Sequence, residues 1–270
     1  MSAVSIYTEL RDALRVQAPV ALATVVDGPG TGAKLLVRPG QEPLGSLGDP
    51  ELDRIAGRDA LGELEAGRTG IRHYGPHGES TPEDLIDTPV LAVFIESWAP
   101  PPQMWIFGAV DFTAALAKVA AILGYRVTVC DAREVFATRR RFPTADEIVV
   151  SWPGPMFEER GHTLGPRDAV CILTHDTKFD VPAVRGALAT KVGYIGIMGS
   201  RKTHDHRLKR LAEAGVTDPA DLARLMSPIG LDLGARTPEE TAISICAEII
   251  ALRTGRVRGS LRDGSGPIHD

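Results

Sequence analysis

The amino-acid sequence predicts an α/β protein in which a parallel sheet with helices on both faces follows a smaller N-terminal α/β or α+β domain. Residues 105–131 read as an apolar strand, a turn at Gly108, an alanine-rich helix, a second apolar strand and a terminal acid, Asp131. Three consecutive prolines within residues 99–103 form a stiff spacer that interrupts any helix or sheet. After this spacer, apolar strands alternate with helical segments, which is the pattern of a Rossmann-like domain.

Residues 1–98, before the spacer, are predicted as an N-terminal domain with a mostly antiparallel sheet. Asp49 is the expected N-cap of its longer helix, and Pro50 suits the first turn. Helices are expected over residues 6–16 and 52–66. Strands are expected over residues 20–26, 33–37, 69–74 and 90–98, with 20–26 and 90–95 at the centre.

Residues 104–255 are predicted as the Rossmann-like domain and residues 256–270 as a flexible tail. Further strands are expected within residues 142–150, over 169–174 and over 192–198, with residues 227–236 as a loop or last strand. Helices are expected over residues 114–123, 181–189, 203–214, 220–225 and from 237 to about 253. Thr237 and Glu240 form a capping box at the start of the last helix.

Length, charge and composition exclude several classes of function. The 270 residues can fill one large or two modest domains, and the net charge of −5 gives no electrostatic footprint for nucleic acid. No apolar run approaches the roughly 20 residues that cross a bilayer, and a signal peptide is not expected. Three widely spaced cysteines suit a reducing interior, so a soluble cytoplasmic protein is expected.

The turn at Gly108 departs from the G-x-G-x-x-G fingerprint of dinucleotide-binding proteins. The second and third glycines let a pyrophosphate approach the backbone and let the helix pack closely on the strand. Val110 and Thr113 stand at those positions, so only the first glycine remains. Asp131 lies about 20 residues further on, where a carboxylate binds the ribose. The fold is expected to persist, while ordinary NAD(P) binding is disfavoured.

Polar residues follow two later strands of the predicted parallel sheet, and ligands of such sheets bind beyond the carboxyl ends of the strands. Gly199, Ser200 and Arg201 open a helix, where amides, the helix dipole and a cation suit a phosphate. The alternative is a capped helix with solvated cations. Residues 174–176 contribute Thr174, His175 and Asp176, with His175 either in a proton relay or a structural hydrogen bond.

Other kinds of site are not expected. His204 and His206 point to different faces of a helix, and the chain has no clustered cysteine and histidine ligands, so no metal site is predicted. A nucleophile elbow and a phosphate-binding P-loop are both missing, and no catalytic residue is assigned. The arginines at 139–141 are expected to form a solvated turn.

Several of these segments together resemble the xanthine dehydrogenase accessory protein family, the XdhC and CoxI type. The segments that carry the resemblance are residues 105–131, 141–146, 173–180, 194–201 and 228–240. The last two of these are the most specific. The resemblance covers nearly all of residues 100–255, and residues 32–37 and 44–48 resemble the family's N-terminal domain more faintly.

The resemblance implies a maturation factor for molybdenum hydroxylases such as xanthine or carbon monoxide dehydrogenases. It implies that the chain binds molybdenum cofactor, a phosphorylated pterin that sometimes carries a nucleotide, and assists the sulfuration or insertion of that cofactor. On this interpretation Gly199, Ser200 and Arg201 hold the phosphate, and Thr174, His175 and Asp176 contact the pterin or nucleotide. Gly108 and Asp131 complete the expected cofactor-binding set.

One further departure from the family pattern concerns sulfur chemistry. The family's glycine–cysteine–glutamate turn reads Gly48, Asp49, Pro50 and Glu51 here, without cysteine. A cofactor chaperone is therefore the first hypothesis, an NAD(P)-dependent oxidoreductase the second, and a docking scaffold for a dehydrogenase the third. A molybdenum hydroxylase is the expected partner, and whether the chain catalyses a reaction or forms a homo-oligomer stays open.

Overall fold

The computed structural model describes residues 5–75, 91–174, 176–255 and 259–263 and confirms the predicted fold class. The chain divides into two compact units, Met1–Pro100 and Pro101–Asp270. The first strand of the second unit begins at Gln103, inside the segment predicted as a spacer.

The first unit is a five-stranded antiparallel sheet with a helix on each face. Its strands run in the order β3-β2-β1-β5-β4 and are β1 (Val20–Asp27), β2 (Lys34–Val37), β3 (Leu44–Ser46), β4 (Gly70–Tyr74) and β5 (Leu91–Trp98). Its helices are α1 (Ile6–Arg15) and α2 (Pro50–Ala66). Both strands predicted at the centre, β1 and β5, lie inside the sheet and pair with each other.

Alternation along β1 places its residues on two cores. Ala21, Ala23 and Val25 pack with α2, whereas Val20 and Leu22 pack with α1, because successive strand residues point to opposite faces. Burying apolar residues on both faces fixes the register of this strand.

The start of α2 confirms the predicted cap. The Asp49 carboxylate accepts hydrogen bonds from Glu51 N and Leu52 N, both at 3.0 Å, and so satisfies two orphan amides of the first turn. Strand β3 was not among the strands expected from the sequence. It pairs with β2 because Gly45, at φ +99°, lies so close to Lys34 that a Cβ would be 2.3 Å from the Lys34 carbonyl oxygen.

The second unit is a six-stranded parallel sheet with the strand order β11-β10-β9-β6-β7-β8. Its strands are β6 (Gln103–Phe107), β7 (Arg126–Cys130), β8 (Glu147–Val149), β9 (Ala169–Ile172), β10 (Tyr194–Ile197) and β11 (Leu225–Met226). Its helices are α3 (Asp111–Ile122), α4 (Pro153–Arg160), α5 (Thr177–Leu188), α6 (Arg201–Glu213), α7 (Pro219–Ala223) and α8 (Pro238–Thr254). This is the doubly wound order: β7 and β8 are added on one side of β6, and β9, β10 and β11 on the other. The switch point therefore lies between β6 and β9.

Two hydrophobic cores cover the two faces of this sheet. Helices α3 and α8 pack on one face with Met104 and Ile106 of β6, while α4 and α5 pack on the other with Trp105 and Phe107. The strand is therefore apolar throughout, as expected for a parallel strand buried on both sides. The capping box of α8 is confirmed, because Glu240 N donates to Thr237 Oγ1 and Thr237 N donates to Glu240 Oε2, each at 3.1 Å.

Three elements of the second unit differ from the prediction. Helix α4 was missed because Pro153 and Pro155 obscure its pattern, although prolines are tolerated in a first helical turn. Helix α5 begins earlier than predicted because Asp176 caps it and Lys178 N donates to that cap. Strand β11, which follows the short helix α7 and pairs with β10, was not predicted, and residues 227–236 form the loop that was one of their two predicted alternatives.

Replacing Gly108 with alanine is expected to destabilise the second unit more than replacing Gly124. Both glycines have positive φ, +108° and +80°, which costs an L-residue about 1–2 kcal/mol. A Cβ at Gly108 would also lie 3.1 Å from Thr174 N, whereas nothing lies within 4 Å at Gly124. Urea denaturation is predicted to show a loss of about 2–5 kcal/mol for Gly108→Ala and about 1–2 for Gly124→Ala. Equal losses would contradict this close approach.

Candidate functional site

The predicted site residues lie along one edge of the parallel sheet, at the carboxyl ends of four adjacent strands. The backbone ladder continues past the strands, because Leu173 N donates to Phe107 O and Met198 N donates to Ile172 O, both at 2.8 Å. In the strand order β10-β9-β6-β7, the described members of the set are Gly199, Ser200, Arg201, Thr174, Asp176, Gly108 and Asp131. The remaining member, His175, lies outside the described residues.

Backbone amides in the turn from β6 into α3 form hydrogen bonds with side chains of the same unit. Ala109 N donates to Asp131 Oδ2 at 2.7 Å, and Val110 N donates to Thr113 Oγ1 at 3.4 Å. The Thr113 hydroxyl, fully buried beneath the turn, donates to Gly108 O. The residues that replace two fingerprint glycines thus help to close the turn, and amides that would face a pyrophosphate are engaged within the chain.

The Asp131 carboxylate is also engaged by the protein. It is 1% exposed and accepts hydrogen bonds from Ala109 N and Arg133 N, and from Arg133 Nε and Nη2 at 2.9 and 2.8 Å. Burial by itself would raise the pKa of Asp131, but the bonds from Arg133 and Ala109 outweigh it and hold that pKa below its ordinary value. An ionised Asp131 therefore tethers the Arg133 loop to the first turn of the domain.

Thr174 and Asp176 form the link between β9 and α5. Thr174 is buried, and its Oγ1 accepts a hydrogen bond from Asp176 N at 3.0 Å. Asp176 is exposed, and its carboxylate caps α5 by accepting from Lys178 N at 2.9 Å. Both residues therefore have structural partners, and Asp176 still presents carboxylate surface at the sheet edge.

Ser200 caps helix α6. Its Oγ accepts a hydrogen bond from Thr203 N at 3.1 Å and lies 2.9 Å from Thr203 Oγ1. Gly199 precedes it at φ +149°, and a Cβ there would lie 3.2 Å from the Thr203 side chain. Arg201 and Lys202 occupy a first turn that contains no acid, and both are exposed. Within the described ranges, no group accepts a hydrogen bond from their backbone N–H groups.

Two sets of predicted residues share the sheet edge without a hydrogen bond between them among the described residues. Across the described part of the chain, no hydrogen bond connects Ser200 or Arg201 to Thr174 or Asp176. A ligand that touches both sets must therefore bridge the ends of β9 and β10.

A fully buried arginine, which the sequence pattern did not reveal, braces the end of β10. Arg207 Nε and Nη2 donate to Asp180 Oδ2 at 3.3 and 3.1 Å, and both side chains are at most 1% exposed. Its Nη2 also donates to Met198 O at 2.9 Å, and its Nη1 to Ser227 Oγ at 3.1 Å. One guanidinium thus joins α6, α5, the residue before Gly199 and the loop after β11. Nothing distinguishes this arginine from the other charged residues of α6 in the sequence.

The cationic run at residues 139–141 is more than the solvated turn that was predicted. Arg139 donates to the carbonyl oxygens of Ala145 and Asp146, and Arg141 Nη1 donates to Ala109 O at 2.9 Å. These bonds attach the loop after β7 to the β6–α3 turn. Residues 139–141 do form a turn with Arg139 and Arg140 exposed, and the additional bonds arise because backbone carbonyls of a folded loop are strong acceptors.

Phe136 lies between two arginines at the same edge. The Arg133 and Arg141 guanidinium carbons lie 4.7 and 5.6 Å from its ring centroid, within the range of cation–π attraction. The ring keeps 41% of its surface exposed. This loop therefore combines aromatic and cationic surface beside the closed turn.

All three cysteines of the chain are buried in the second unit. Burial raises the pKa of Cys130 to about 12 and that of Cys246 to about 11, and it raises the pKa of Cys171 as well. The Gly48–Glu51 turn contains no cysteine, and its Asp49 is the N-cap of α2. The chain accordingly presents no reactive thiol for sulfur or metal chemistry.

The described residues hold neither a metal-binding cluster nor a membrane-spanning helix. No group of three or more histidine, cysteine, aspartate or glutamate side chains among them is arranged to hold a metal ion. Within the same ranges, no helix has the length and apolar composition needed to span a bilayer.

Family models match two parts of the chain. The model for the XdhC Rossmann domain matches residues 104–249, and the model for the XdhC and CoxI family matches residues 13–75.

Individual proteins give the same picture. A Bacillus subtilis (strain 168) protein named as a probable subunit of xanthine dehydrogenase is 35% identical over 161 residues, which cover 60% of this chain and 46% of that protein. The molybdenum cofactor insertion chaperone PaoD of Escherichia coli (strain K12) is 33% identical over 85 residues, 32% of this chain and 26% of PaoD. The chain spans about half the length, or less, of the curated relatives it matches.

A solved structure shares the fold. The crystal structure of a xanthine dehydrogenase from Bacillus halodurans matches 93% of this chain and 97% of its own chain, with a TM-score of 0.53 and 23% identity.

Substituting one partner of the buried Arg207–Asp180 pair is expected to be strongly destabilising. Arg207→Met leaves a buried carboxylate without its guanidinium, which typically costs about 3–5 kcal/mol. The double variant Arg207→Met with Asp180→Leu is expected to lose less than the sum of the two single losses, because it leaves no uncompensated charge. Chemical denaturation of the four proteins measures this coupling. Additive losses would show that the two side chains do not interact energetically.

The native thiols are expected to resist 5,5′-dithiobis(2-nitrobenzoic acid) at pH 8, since their raised pKa values leave almost no thiolate and burial blocks access. Absorbance at the start of the reaction should report far less than one thiol per chain, and addition of guanidinium chloride should release all three. A native thiol that reacts as fast as free cysteine would contradict the described burial.

Proposed function

We propose that this chain, which belongs to the XdhC and CoxI family, is an accessory protein that binds molybdenum cofactor and assists its insertion into a molybdenum hydroxylase. The names of two relatives support the class of client and cargo, because one is named as a probable subunit of xanthine dehydrogenase and the other as a molybdenum cofactor insertion chaperone. The cofactor is the cargo of this protein, and the client enzyme uses it.

The start of α6 is the single observation that carries the assignment of the phosphate. It combines two exposed cations, the positive end of a helix dipole and the amides of Arg201 and Lys202, for which the described residues supply no acceptor. These groups lie at the sheet edge where ligands of this fold bind. The donors match the chemistry of a phosphate monoester, which takes hydrogen bonds from amides and charge from arginine or lysine. Gly199, Ser200 and Arg201 would hold that phosphate.

The start of α3 fits the phosphate less well. The amides of Ala109 and Val110 are engaged within the turn, and the first helical residue, Asp111, has an exposed carboxylate that Arg141 Nη2 contacts at 3.4 Å. A carboxylate there opposes a second anion, whereas α6 begins with cations. Charge and hydrogen bonding therefore favour α6 over the position that a dinucleotide pyrophosphate normally occupies.

Thr174, His175 and Asp176 would contact the pterin or an attached nucleotide. Asp176 supports this because its exposed carboxylate lies at the end of β9, the strand beside β10, and carboxylates accept the N–H donors of an aminopyrimidinone edge. Thr174 would act through Asp176, whose N–H its hydroxyl binds.

The role in sulfuration would be to hold the cofactor while another protein supplies the sulfur. The three buried cysteines and the absence of cysteine from the Gly48–Glu51 turn support this role. A sulfur relay needs an accessible thiolate, and a thiol of raised pKa inside a core does not supply one.

An NAD(P)-dependent oxidoreductase fits the geometry less well. The carboxylate that would bind the ribose, Asp131, is buried and bonded to Arg133 and Ala109, so nucleotide binding would have to break these bonds.

Arg201→Ala is expected to weaken molybdenum cofactor binding at least tenfold, because it removes the exposed cation nearest the free amides of α6. Affinity is measured anaerobically from pterin fluorescence. Lys209→Ala is the matched control, since Lys209 is an exposed cation on the same helix, away from its first turn. Lys209→Ala should bind as the unmodified chain does. Unchanged affinity in Arg201→Ala would overturn the phosphate assignment. Equal weakening in both variants would show that binding depends on the overall positive charge of α6 and not on a specific contact from Arg201.

A further inference from the structure

A groove between α4 and α5 forms a concave surface in the parallel-sheet unit. It encloses about 850 Å³, within the size range of small-molecule sites. Its lining includes Phe157 and Leu164 on one side and Val181 and Pro182 on the other. Thr190 and Lys191, which precede β10, lie at one end, so this α4–α5 groove is separate from the carboxyl edge that follows β10.

Close helix packing builds the floor of the groove. A Cβ at Gly186 of α5 would lie 2.2 Å from the Phe157 ring of α4, and a Cβ at Gly161 would lie 3.4 Å from both Phe157 and Thr190. Gly186 therefore lets α4 and α5 approach closely, whereas the distances at Gly161 are ordinary van der Waals contacts. The groove lies above this contact and has an apolar floor that water solvates poorly.

Two exposed cations without ionic partners among the described residues line the groove. Arg185 and Lys191 line the groove and are exposed, and within the described ranges neither side chain makes an ion pair or hydrogen bond. Glu158 is the only carboxylate among the lining residues and forms no ion pair with them.

The two cations are not needed to cap α5. Arg224 already does so, with Nη1 donating to Leu188 O at 2.8 Å and Nη2 donating to the carbonyl oxygens of Thr190 and Val192 at 3.0 and 3.2 Å. The negative end of this helix is thus compensated by a different residue. Arg185 and Lys191 remain available to a ligand.

We infer that the α4–α5 groove binds an organic anion with an apolar body. The apolar part lies over Phe157, Val181 and Pro182, and the carboxylate, phosphate or sulfonate group pairs with Arg185 and Lys191. This site is independent of the proposed cofactor site, since it uses other residues at another part of the unit.

The probe for the test is 8-anilinonaphthalene-1-sulfonate, with the neutral N-phenyl-1-naphthylamine as its uncharged counterpart. The double variant Arg185→Gln with Lys191→Gln removes both cations without touching the core. The matched control, Lys118→Gln with Lys209→Gln, removes two exposed cations from α3 and α6. A third variant, Ala189→Trp, fills the groove from an exposed lining position without changing charge.

We expect the unmodified chain to bind one sulfonate probe saturably, and the Arg185/Lys191 variant to bind it at least tenfold more weakly. The control variant should stay within twofold. The neutral probe should bind more weakly than the sulfonate and be unaffected by loss of the cations, whereas Ala189→Trp should weaken both. Unchanged sulfonate affinity in the Arg185/Lys191 variant, or no saturable binding to the unmodified chain, would overturn the inference. Cofactor binding measured on the same variants should not change, which separates this result from the proposed function.

Discussion

The buried ion pair between Arg207 and Asp180 is the constraint on which the proposed site depends. Two charges inside a core are stable only when their hydrogen bonds are satisfied, and the guanidinium meets this requirement by also binding Met198 O and Ser227 Oγ. These partners belong to four different segments, so satisfying one side chain fixes the end of β10 relative to α5 and the loop after β11. The amides and cations at the start of α6 are held in place by that arrangement.

The two halves of the sheet edge differ in whether their hydrogen-bond donors are engaged within the chain. On the β6–β7 side, Asp131 is bonded to Arg133 and Ala109, and the first turn is closed. On the β10 side, Arg201 and Lys202 are exposed at a helix start with free amides. The proposed phosphate site is therefore displaced toward β10 from the centre of the sheet, where this fold usually binds a dinucleotide. This displacement fits a phosphorylated pterin better than a pyrophosphate bound at the first glycine turn.

The sequence predicted the fold well because its signals were local and periodic. The apolar strands, the capping box at Thr237 and the cap at Asp49 follow from residues close together in the chain. What it missed depends on distant partners. Arg207 and Asp180 are 27 residues apart, and Arg141 reaches Ala109 across 32 residues, so neither contact leaves a mark in local pattern. The predicted residues at the strand ends share an edge because parallel strands place their carboxyl ends together. Spacing alone could not show that the Asp131 carboxylate accepts hydrogen bonds from Arg133 and is therefore not open to a ribose.

Anaerobic gel filtration of the unmodified chain, with molybdenum cofactor in one run and NADH in another, tests the central claim most directly. Pterin and nicotinamide fluorescence report which ligand elutes with the protein. We expect near-stoichiometric molybdenum cofactor and no NADH. Co-elution of NADH without the cofactor would contradict the proposed function and would identify the closed turn at Gly108 as a nucleotide site after all.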